Sequence, residues 1–571
     1  RAEMFEATQE QVDAVNKYEK VEYSINTDFI SWLDDNGITD NDLLNIEGYE
    51  NNVGQKDRLT ALMEFAGYIK DEAFNFTYKI GNNSRLYIME TVANIQTDKA
   101  FARNMVTFNK KVKVTDKNMQ FYKQAVIFGV TGKLSKNIDS DFNDITEEIS
   151  NLTEKQYLDY AKTHQGVHTL LAISDYKSYL DNKSNHKTGL YLEVDGKTNG
   201  FAFAVMQLYK DNKDMLAKVG VTTDIKDKVM DGYEEVSASI VNKFTGSIRG
   251  VTINRNLVKK SFTEFLYGSN SKNVIERIAN RIIEAGKENK IDYDAKEKEQ
   301  INILALMIDS ELRIKYSRLL PYIALVKKTY DIMYKNFQSK VKTEFYDKIN
   351  EKTTLKEYNK IKSDFMRKYA PSISLFGDAV KNKIPLYKTV MTPVGVGKTV
   401  SQKITITDKS GTREILLSFG SRDFMPDASN SKAAPVITHF LDALCASESS
   451  SDDSDTSLID DAFIGTIEGL INDTSGKYNE NFMEIGKGIN VLDKLMEIIV
   501  GLGVNTNTLN VKYQTTGGIN VDGTFVEGSF QKIFDKLKYG DKHSVLGQVS
   551  SVNQMESVIV DEEVKEQPKK V

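Results

Sequence analysis

A carboxylate directly follows an apolar segment rich in β-forming residues. Asp195 and Gly196 come after residues 189–194, which read Gly-Leu-Tyr-Leu-Glu-Val. An aspartate at the end of a strand can bind a metal ion, and a glycine beside it lets the backbone come close. The same pair is also typical of a plain hairpin turn, so alone it leaves both interpretations open.

A basic helix carries two cations and one aromatic ring at helical spacing. Arg255 and Lys259 are four residues apart and therefore share a helix face. Tyr267 follows near the same face, and Gly268 is expected to end the helix as a cap. Cations neutralise phosphate and a ring packs against a nucleotide, so this pattern suits a nucleoside triphosphate. The alternative is an ordinary solvated basic helix, although the full spacing R-x3-K-x7-Y-G is far more specific than a cation pair.

Two adjacent acids interrupt a strand-like apolar segment. Asp460 and Asp461 lie between Leu458-Ile459 and Phe463-Ile464, where burying them without a cation would be costly. Neighbouring side chains in a strand point to opposite faces, so we expect Asp461 to face the same site as Asp195. The alternative is a turn that extends the preceding acidic loop. Two carboxylates on separate strands, with the basic helix between them in sequence, indicate phosphoryl transfer with two Mg²⁺ ions.

The elements that must position these residues are mainly helices. The chain has 571 residues, 40% of them hydrophobic and only 7 of them proline, which predicts a helix-dominated α/β fold with a large core. Almost all of residues 203–370 has helical spacing. Residues 385–425 instead spread β-branched residues around a turn at 408–411, which predicts a β-hairpin.

Composition excludes several classes of protein. Cys445 is the single cysteine, so neither an intrachain disulfide nor a cysteine-rich zinc site can form. The net charge of −6 argues against a purely electrostatic nucleic-acid coat protein, but it allows a local basic channel. The sequence contains no run of 18 apolar residues, so we expect no membrane span. The residues after Arg1 include no apolar segment of the kind found in signal peptides, so we expect no signal peptide.

The order and spacing of these motifs resemble the single-subunit RNA polymerases of bacteriophages and mitochondria over roughly residues 60–500. Residues 195–200 resemble the family's D-G-x-C-x-G with threonine in place of cysteine, and the basic helix matches R-x3-K-x7-Y-G fully. Asp460 to Phe463 resembles the start of H-D-S-F-G, with Asp460 in place of the histidine. His439 to Asp442 resembles H-S-Q-D in its first and last positions, and residues 82–87 only echo D-x-x-G-R.

The resemblance implies a right-hand polymerase fold. Its parts would be a thumb-like helical segment at 1–75, a first palm part with motif A at 76–212, fingers with motif B at 213–438, a second palm part with motif C at 439–558, and a flexible tail at 559–571. The 385–425 hairpin falls where the family has its specificity hairpin.

The resemblance also implies a role for each matching residue. Asp195 and Asp461 would hold two Mg²⁺ ions, with Gly196 offering its carbonyl oxygen. Arg255 and Lys259 would bind the triphosphate. Lys259 and Tyr267 would be catalytic together with the two aspartates. The remaining nucleotide contacts would be Tyr233, Tyr267 and His439, and the nucleic-acid contacts would be Arg85, Tyr87 and Asp442.

The resemblance implies an enzyme that uses a DNA template, nascent RNA and NTPs. Nothing in the sequence corresponds to the family's N-terminal promoter-opening domain, which could be on another chain, removed or unnecessary. Virion-packaged phage polymerases are the branch that this pattern favours, and we expect a location in the virion or host cytoplasm. The alternatives are a family A DNA polymerase, which Gly200 and Ala462 disfavour, and an inactive polymerase-like subunit or single-stranded-DNA-binding structural protein.

Overall fold

The computed structural model describes most of the chain. The described residues are 9–70, 72–81, 85–183, 185–195, 199–209, 213–218, 231–369, 397–408, 411–424, 433–449, 455–459, 462–469, 475–488, 490–515 and 525–539. Helices dominate these residues and the strands form small sheets, as the helix-dominated α/β prediction requires. Among the described helices, none is both long and apolar enough to cross a lipid bilayer.

The first part of the chain folds around one hydrophobic core that extends from Tyr18 to Leu192. Its helices and strands are α1 (Gln9–Glu19), β1 (Tyr23–Ile25), α2 (Thr27–Asp35), α3 (Asp40–Ile46), α4 (Val53–Ile69), β2 (Tyr78–Ile80), β3 (Leu86–Ile88), α5 (Ala102–Met105), β4 (Val106–Phe108), β5 (Val112–Lys113), α6 (Met119–Thr131), α7 (Ile138–Asn151), α8 (Tyr157–Thr163), α9 (Val167–Asp181), β6 (Lys187–Thr188) and β7 (Tyr191–Asp195). A single 3₁₀ turn, Glu154–Gln156, precedes α8.

The remaining elements contribute mostly to a second core, which begins at Phe201. They are α10 (Asn199–Tyr209), α11 (Lys213–Lys218), α12 (Gly232–Lys243), α13 (Arg255–Leu266), α14 (Ser271–Glu288), α15 (Ala295–Lys315), α16 (Leu319–Lys340), α17 (Leu355–Tyr369), β8 (Gly397–Asp408), β9 (Gly411–Phe424), α18 (Ala433–Ser449), β10 (Thr456–Ile459), β11 (Ala462–Thr466), α19 (Ser475–Gly488), α20 (Val491–Gly501), β12 (Asn510–Gln514), β13 (Phe525–Ser529) and α21 (Phe530–Tyr539). A π turn at Val341–Phe345 and a 3₁₀ turn at Tyr346–Lys348 follow α16, and the end of α16 packs with α17 in a third, smaller core.

A three-stranded antiparallel sheet in the order β10-β11-β7 joins the two halves of the chain. Leu458, Phe463 and Ile464 from β10 and β11 complete the first core, although they lie more than 260 residues after β7. All five residues of β11 are buried, because the strand has a partner on each edge and packed side chains on both faces. The sheet therefore holds distant parts of the sequence in a fixed register.

The structure tests several predicted strands. The strand expected at 189–194 is confirmed as β7, and the expected hairpin is confirmed by the pairing of β8 with β9. The expectation of one strand through Asp460 and Asp461 is wrong, because β10 ends at Ile459, β11 begins at Ala462, and these two residues pair with each other. The aspartates themselves, the hairpin residues 385–396 and the tail 559–571 lie outside the described residues. The division into thumb, palm, fingers and tail stays a prediction.

Candidate functional site

One cleft collects most of the residues that the sequence singled out. Its volume is about 570 Å³, and it lies between α13, α18, β7 and the end of α6. The residues that line it include Arg85, Tyr233, Arg255, Lys259, Tyr267, His439 and Asp442 from the predicted site, together with Gly200. Tyr87, on β3, is not among the residues that line the cleft.

Helix α13 presents the predicted cations because its other face is buried. Asn254 is the N-cap residue of the helix. Its side-chain oxygen accepts hydrogen bonds from the backbone amides of Asn256 (3.0 Å) and Leu257 (3.2 Å). Val258 and Phe262 pack into the second core. This fixes the rotation of the helix, so that Arg255 and Lys259 both line the cleft one turn apart.

The two α13 cations differ in how they are held. Arg255 donates from Nε to Asp231 Oδ2 at 2.7 Å, and its guanidinium lies over the ring of Tyr233 at 4.9 Å. Lys259 is exposed and forms no ion pair with any described residue. One fixed and one adaptable cation therefore project into the same cleft, as suits an anion that bears several phosphates.

A hydrogen bond joins the end of α13 to α18. Tyr267 Oη and His439 Nε2 are 2.7 Å apart, and their rings meet edge to face with centroids 5.9 Å apart. The tautomer of His439 decides which atom donates. The predicted cap is confirmed, since α13 ends at Leu266 and Gly268 takes a φ of +73°. This pairing holds the tyrosine ring in a defined orientation at the cleft wall.

A nearly buried ion pair links the first part of the chain to α18. Arg85 Nη2 lies 3.2 Å from Asp442 Oδ2, and the side chains are 12% and 3% exposed. Asp442 is one helical turn beyond His439, so both side chains lie near the same cleft surface. Arg85 was predicted as a nucleic-acid contact; the structure gives it a carboxylate partner within the protein as well.

The cleft extends to the sheet that carries the predicted metal ligands. Tyr191 and Glu193 of β7 line it, and Asp195 is the next member of that alternating series along the sequence. The backbone of Asp195 pairs with Ala462, which directly follows Asp461 in the sequence. Gly196 and Asp461 lie outside the described residues. Among the residues that the structure does describe, no group of three or more His, Cys, Asp or Glu could hold a metal ion.

Several residues of the cleft carried no recognisable sequence signal. Lys99 and Lys133 also line the cleft, and neither forms an ion pair with a described residue. Glu193, in contrast, lies 2.9 Å from Arg103. No spacing rule connects these lysines to α13, because they reach the cleft only through the packing of the first core.

His168 forms part of the cleft floor. Its imidazole stacks on the ring of Tyr191, with centroids 4.7 Å apart and planes 7° apart. Burial, reinforced by the positive charges of Lys99 and Arg103, lowers the pKa of His168 to about 3. The imidazole is therefore neutral near pH 7, and it contributes a flat, uncharged surface.

A comparison with protein-family models finds no match to the chain, and a search of curated proteins finds no similar sequence. The residues of the cleft are therefore the basis for assigning a function.

Proposed function

We propose that the chain is a DNA-directed RNA polymerase, which transfers nucleotidyl groups from NTPs to an RNA 3′-hydroxyl on a DNA template. One observation carries the proposal. A single cleft gathers Arg255, Lys259 and Tyr267 with His439, a residue 172 positions distant from Tyr267, beside the strand that ends at Asp195. Helical spacing predicted the α13 group, and the family resemblance predicted His439; the tertiary structure brings both to one cleft.

The charges that line the cleft favour a polyanionic ligand. The cations that line it are Arg85, Lys99, Lys133, Arg255 and Lys259. Its two described carboxylates, Glu193 and Asp442, each have an arginine partner. The three lysines have no described carboxylate partner, so positive charge remains for phosphate groups.

The sheet suits the two Mg²⁺ ions that the family resemblance implies. Carboxylate and carbonyl oxygens are the ligands that Mg²⁺ prefers, and Asp195, Gly196 and Asp461 offer only oxygen donors. The backbone of Asp195 pairs with Ala462, the residue that directly follows Asp461 in the sequence. Asp195 and Asp461 would hold the ions, which when bound activate the attacking hydroxyl and neutralise charge on the phosphates.

The other residues would bind and orient the nucleotide. In the reaction the RNA 3′-oxygen bonds to the α-phosphorus, the bond from that phosphorus to the bridging oxygen breaks, and pyrophosphate leaves. Arg255 and Lys259 would bind the triphosphate and stabilise the negative charge that develops on the leaving pyrophosphate. Tyr267, held by His439, would pack against the nucleotide sugar and favour ribose, with Tyr233 near the same sugar.

A close contact at Gly200 disfavours the DNA-polymerase alternative. Family A enzymes usually place a glutamate five residues after the motif A aspartate, the position of Gly200 here, to exclude ribose. A β-carbon on Gly200 would overlap Thr438 Cγ2, so a glutamate would require Thr438 to move. The close packing of α10 against α18 at Gly200 therefore disfavours the glutamate of the DNA-polymerase alternative.

The proposal predicts template-directed extension by the full chain. The assay offers an RNA primer on single-stranded DNA with Mg²⁺, and supplies NTPs and dNTPs separately. We expect extension with NTPs, abolished by Asp195→Asn and Asp461→Asn. Extension with dNTPs instead would indicate a DNA polymerase, and DNA binding without extension would indicate a binding protein or an inactive subunit.

A matched pair of lysine variants tests the site itself. Lys259→Ala removes a cation from the cleft, whereas Lys260→Ala removes its neighbour, which lines a separate hollow between α13 and α14. We expect Lys259→Ala to reduce incorporation about 100-fold, the scale of losing one charge-stabilising group, with Lys260→Ala near wild type. Equal activity of the two variants would contradict the assignment of the cleft. The viral origin that the resemblance implies stays a prediction.

A further inference from the structure

Asp231 is a buried carboxylate at the edge of the cleft, just before α12. Its Oδ1 accepts the backbone amides of Tyr233 (2.9 Å) and Glu234 (3.4 Å), so it begins that helix as the N-cap residue. Its side chain is only 4% exposed. A carboxylate this deeply buried needs a cation, and the described structure supplies one from α13.

That cation is Arg255. The second oxygen of Asp231 accepts from Arg255 Nε at 2.7 Å, while the ring of Tyr233 lies under the guanidinium at 4.9 Å. The Tyr233 ring packs edge to face against the ring of Phe262 on α13, with the ring centroids 4.6 Å apart. One capping carboxylate thus fixes both the start of α12 and the orientation of the arginine.

The geometry leaves Arg255 able to bind a ligand. Its side chain is 32% exposed and lines the cleft. The contact with Asp231 uses one of the five guanidinium N–H donors, and the others can bind phosphate oxygens. An arginine that is already held loses less conformational freedom on binding than a free one, so its orientation adds affinity.

We propose that Asp231 is a positioning residue, which holds Arg255 in the orientation that receives the triphosphate. This inference rests on the proposed nucleotidyl transfer, because it assigns the ligand of Arg255. Two opposing effects are possible when the carboxylate is removed. The cleft gains net positive charge, which alone would strengthen anion binding, while Arg255 loses its anchor, which would weaken it.

Asp231→Asn separates the capping role of this side chain from its charge. Asparagine is as good an N-cap residue as aspartate, so the start of α12 keeps its acceptor while the charge that orients Arg255 is lost. The matched control is Asp294→Asn, because Asp294 caps α15 by accepting the amide of Glu297 at 2.8 Å and does not line the cleft.

The primary measurement is calorimetric titration of the full-length variants with tripolyphosphate, and the second is KM and kcat for NTPs. We expect Asp231→Asn to weaken tripolyphosphate binding and raise KM about ten-fold. The kcat should also fall, because Arg255 stabilises charge on the leaving group, while the melting temperature should stay near wild type. Asp294→Asn should match wild type in all four quantities. In an Arg255→Ala background, Asp231→Asn should no longer weaken tripolyphosphate binding, because only the gain in positive charge remains.

Each other outcome is decisive. Unchanged or tighter tripolyphosphate binding by Asp231→Asn would overturn the inference, as would an equal loss with and without Arg255. The comparison within the Arg255→Ala background still decides if Asp231→Asn alone melts early. If the wild type incorporates no nucleotide but Asp231→Asn still weakens tripolyphosphate binding through Arg255, the proposed polymerase activity fails while the positioning role stands.

Discussion

Replacing Gly268 with alanine should destabilise the end of α13 through two effects that add. Gly268 has a φ of +73°, where a β-carbon costs about 1–2 kcal/mol. That β-carbon would also lie 2.6 Å from both Ile323 Cγ2 and Lys327 Cε, and overpacking of this kind costs about 1–3 kcal/mol. We therefore expect Gly268→Ala to lower the free energy of unfolding by about 2–5 kcal/mol.

Gly503 provides a matched control because it ends α20 in the same way. Its amide donates to Val500 at 2.9 Å, the next amide donates to Ile499 at 3.2 Å, and its φ is +71°. A β-carbon there would meet no atom within 4 Å, so Gly503→Ala should cost only the backbone effect of about 1–2 kcal/mol.

Urea denaturation followed by circular dichroism measures both variants, and primer extension measures the consequence for the site. Gly268→Ala should also reduce NTP incorporation, because the strained residue directly follows Tyr267, while Gly503→Ala should not. The reasoning is refuted if Gly268→Ala is no less stable than Gly503→Ala, since the close contact with α16 would then carry no energy.

Three further predictions concern the cleft walls. Arg85→Ala should cost about 3 kcal/mol in urea denaturation, because Asp442 stays buried without its cation; a loss under about 1 kcal/mol would contradict this. As pH falls from 6.5 towards 3, the unfolded chain binds a proton that folded His168 does not, so this residue alone should lower the free energy of unfolding by up to about 1.4 kcal/mol per pH unit. His168→Leu should reduce that slope in melts at several pH values, and an unchanged slope would count against it. Tyr267→Phe removes the hydrogen bond to His439, so the preference for NTPs over dNTPs in kcat/KM should fall about ten-fold; an unchanged ratio would argue against a role in sugar selection.

Local features of the site could be predicted from the sequence. Three such features are helix α13, its cap at Gly268 and strand β7. They depend on contacts between residues close in sequence, so the spacing of hydrophobic residues and the residue types at helix ends predict them. The same rules erred at residues 456–466. An apolar segment around two acids fits one strand as well as two paired strands with a two-residue connection.

The tertiary structure alone decided how the cleft is charged. Arg85 and Asp442 are 357 residues apart, and Asp231 reaches Arg255 only because α12 and α13 pack side by side. Lys99 and Lys133 line the same cleft as the α13 cations, although they come from the first part of the chain. The sequence determined which groups could bind phosphate, since side-chain chemistry and helix period are local. Distant elements that share a core decide which of these charges have an ion-pair partner and which stay available for a ligand. The spacing of residues within one helix or strand cannot predict such pairing.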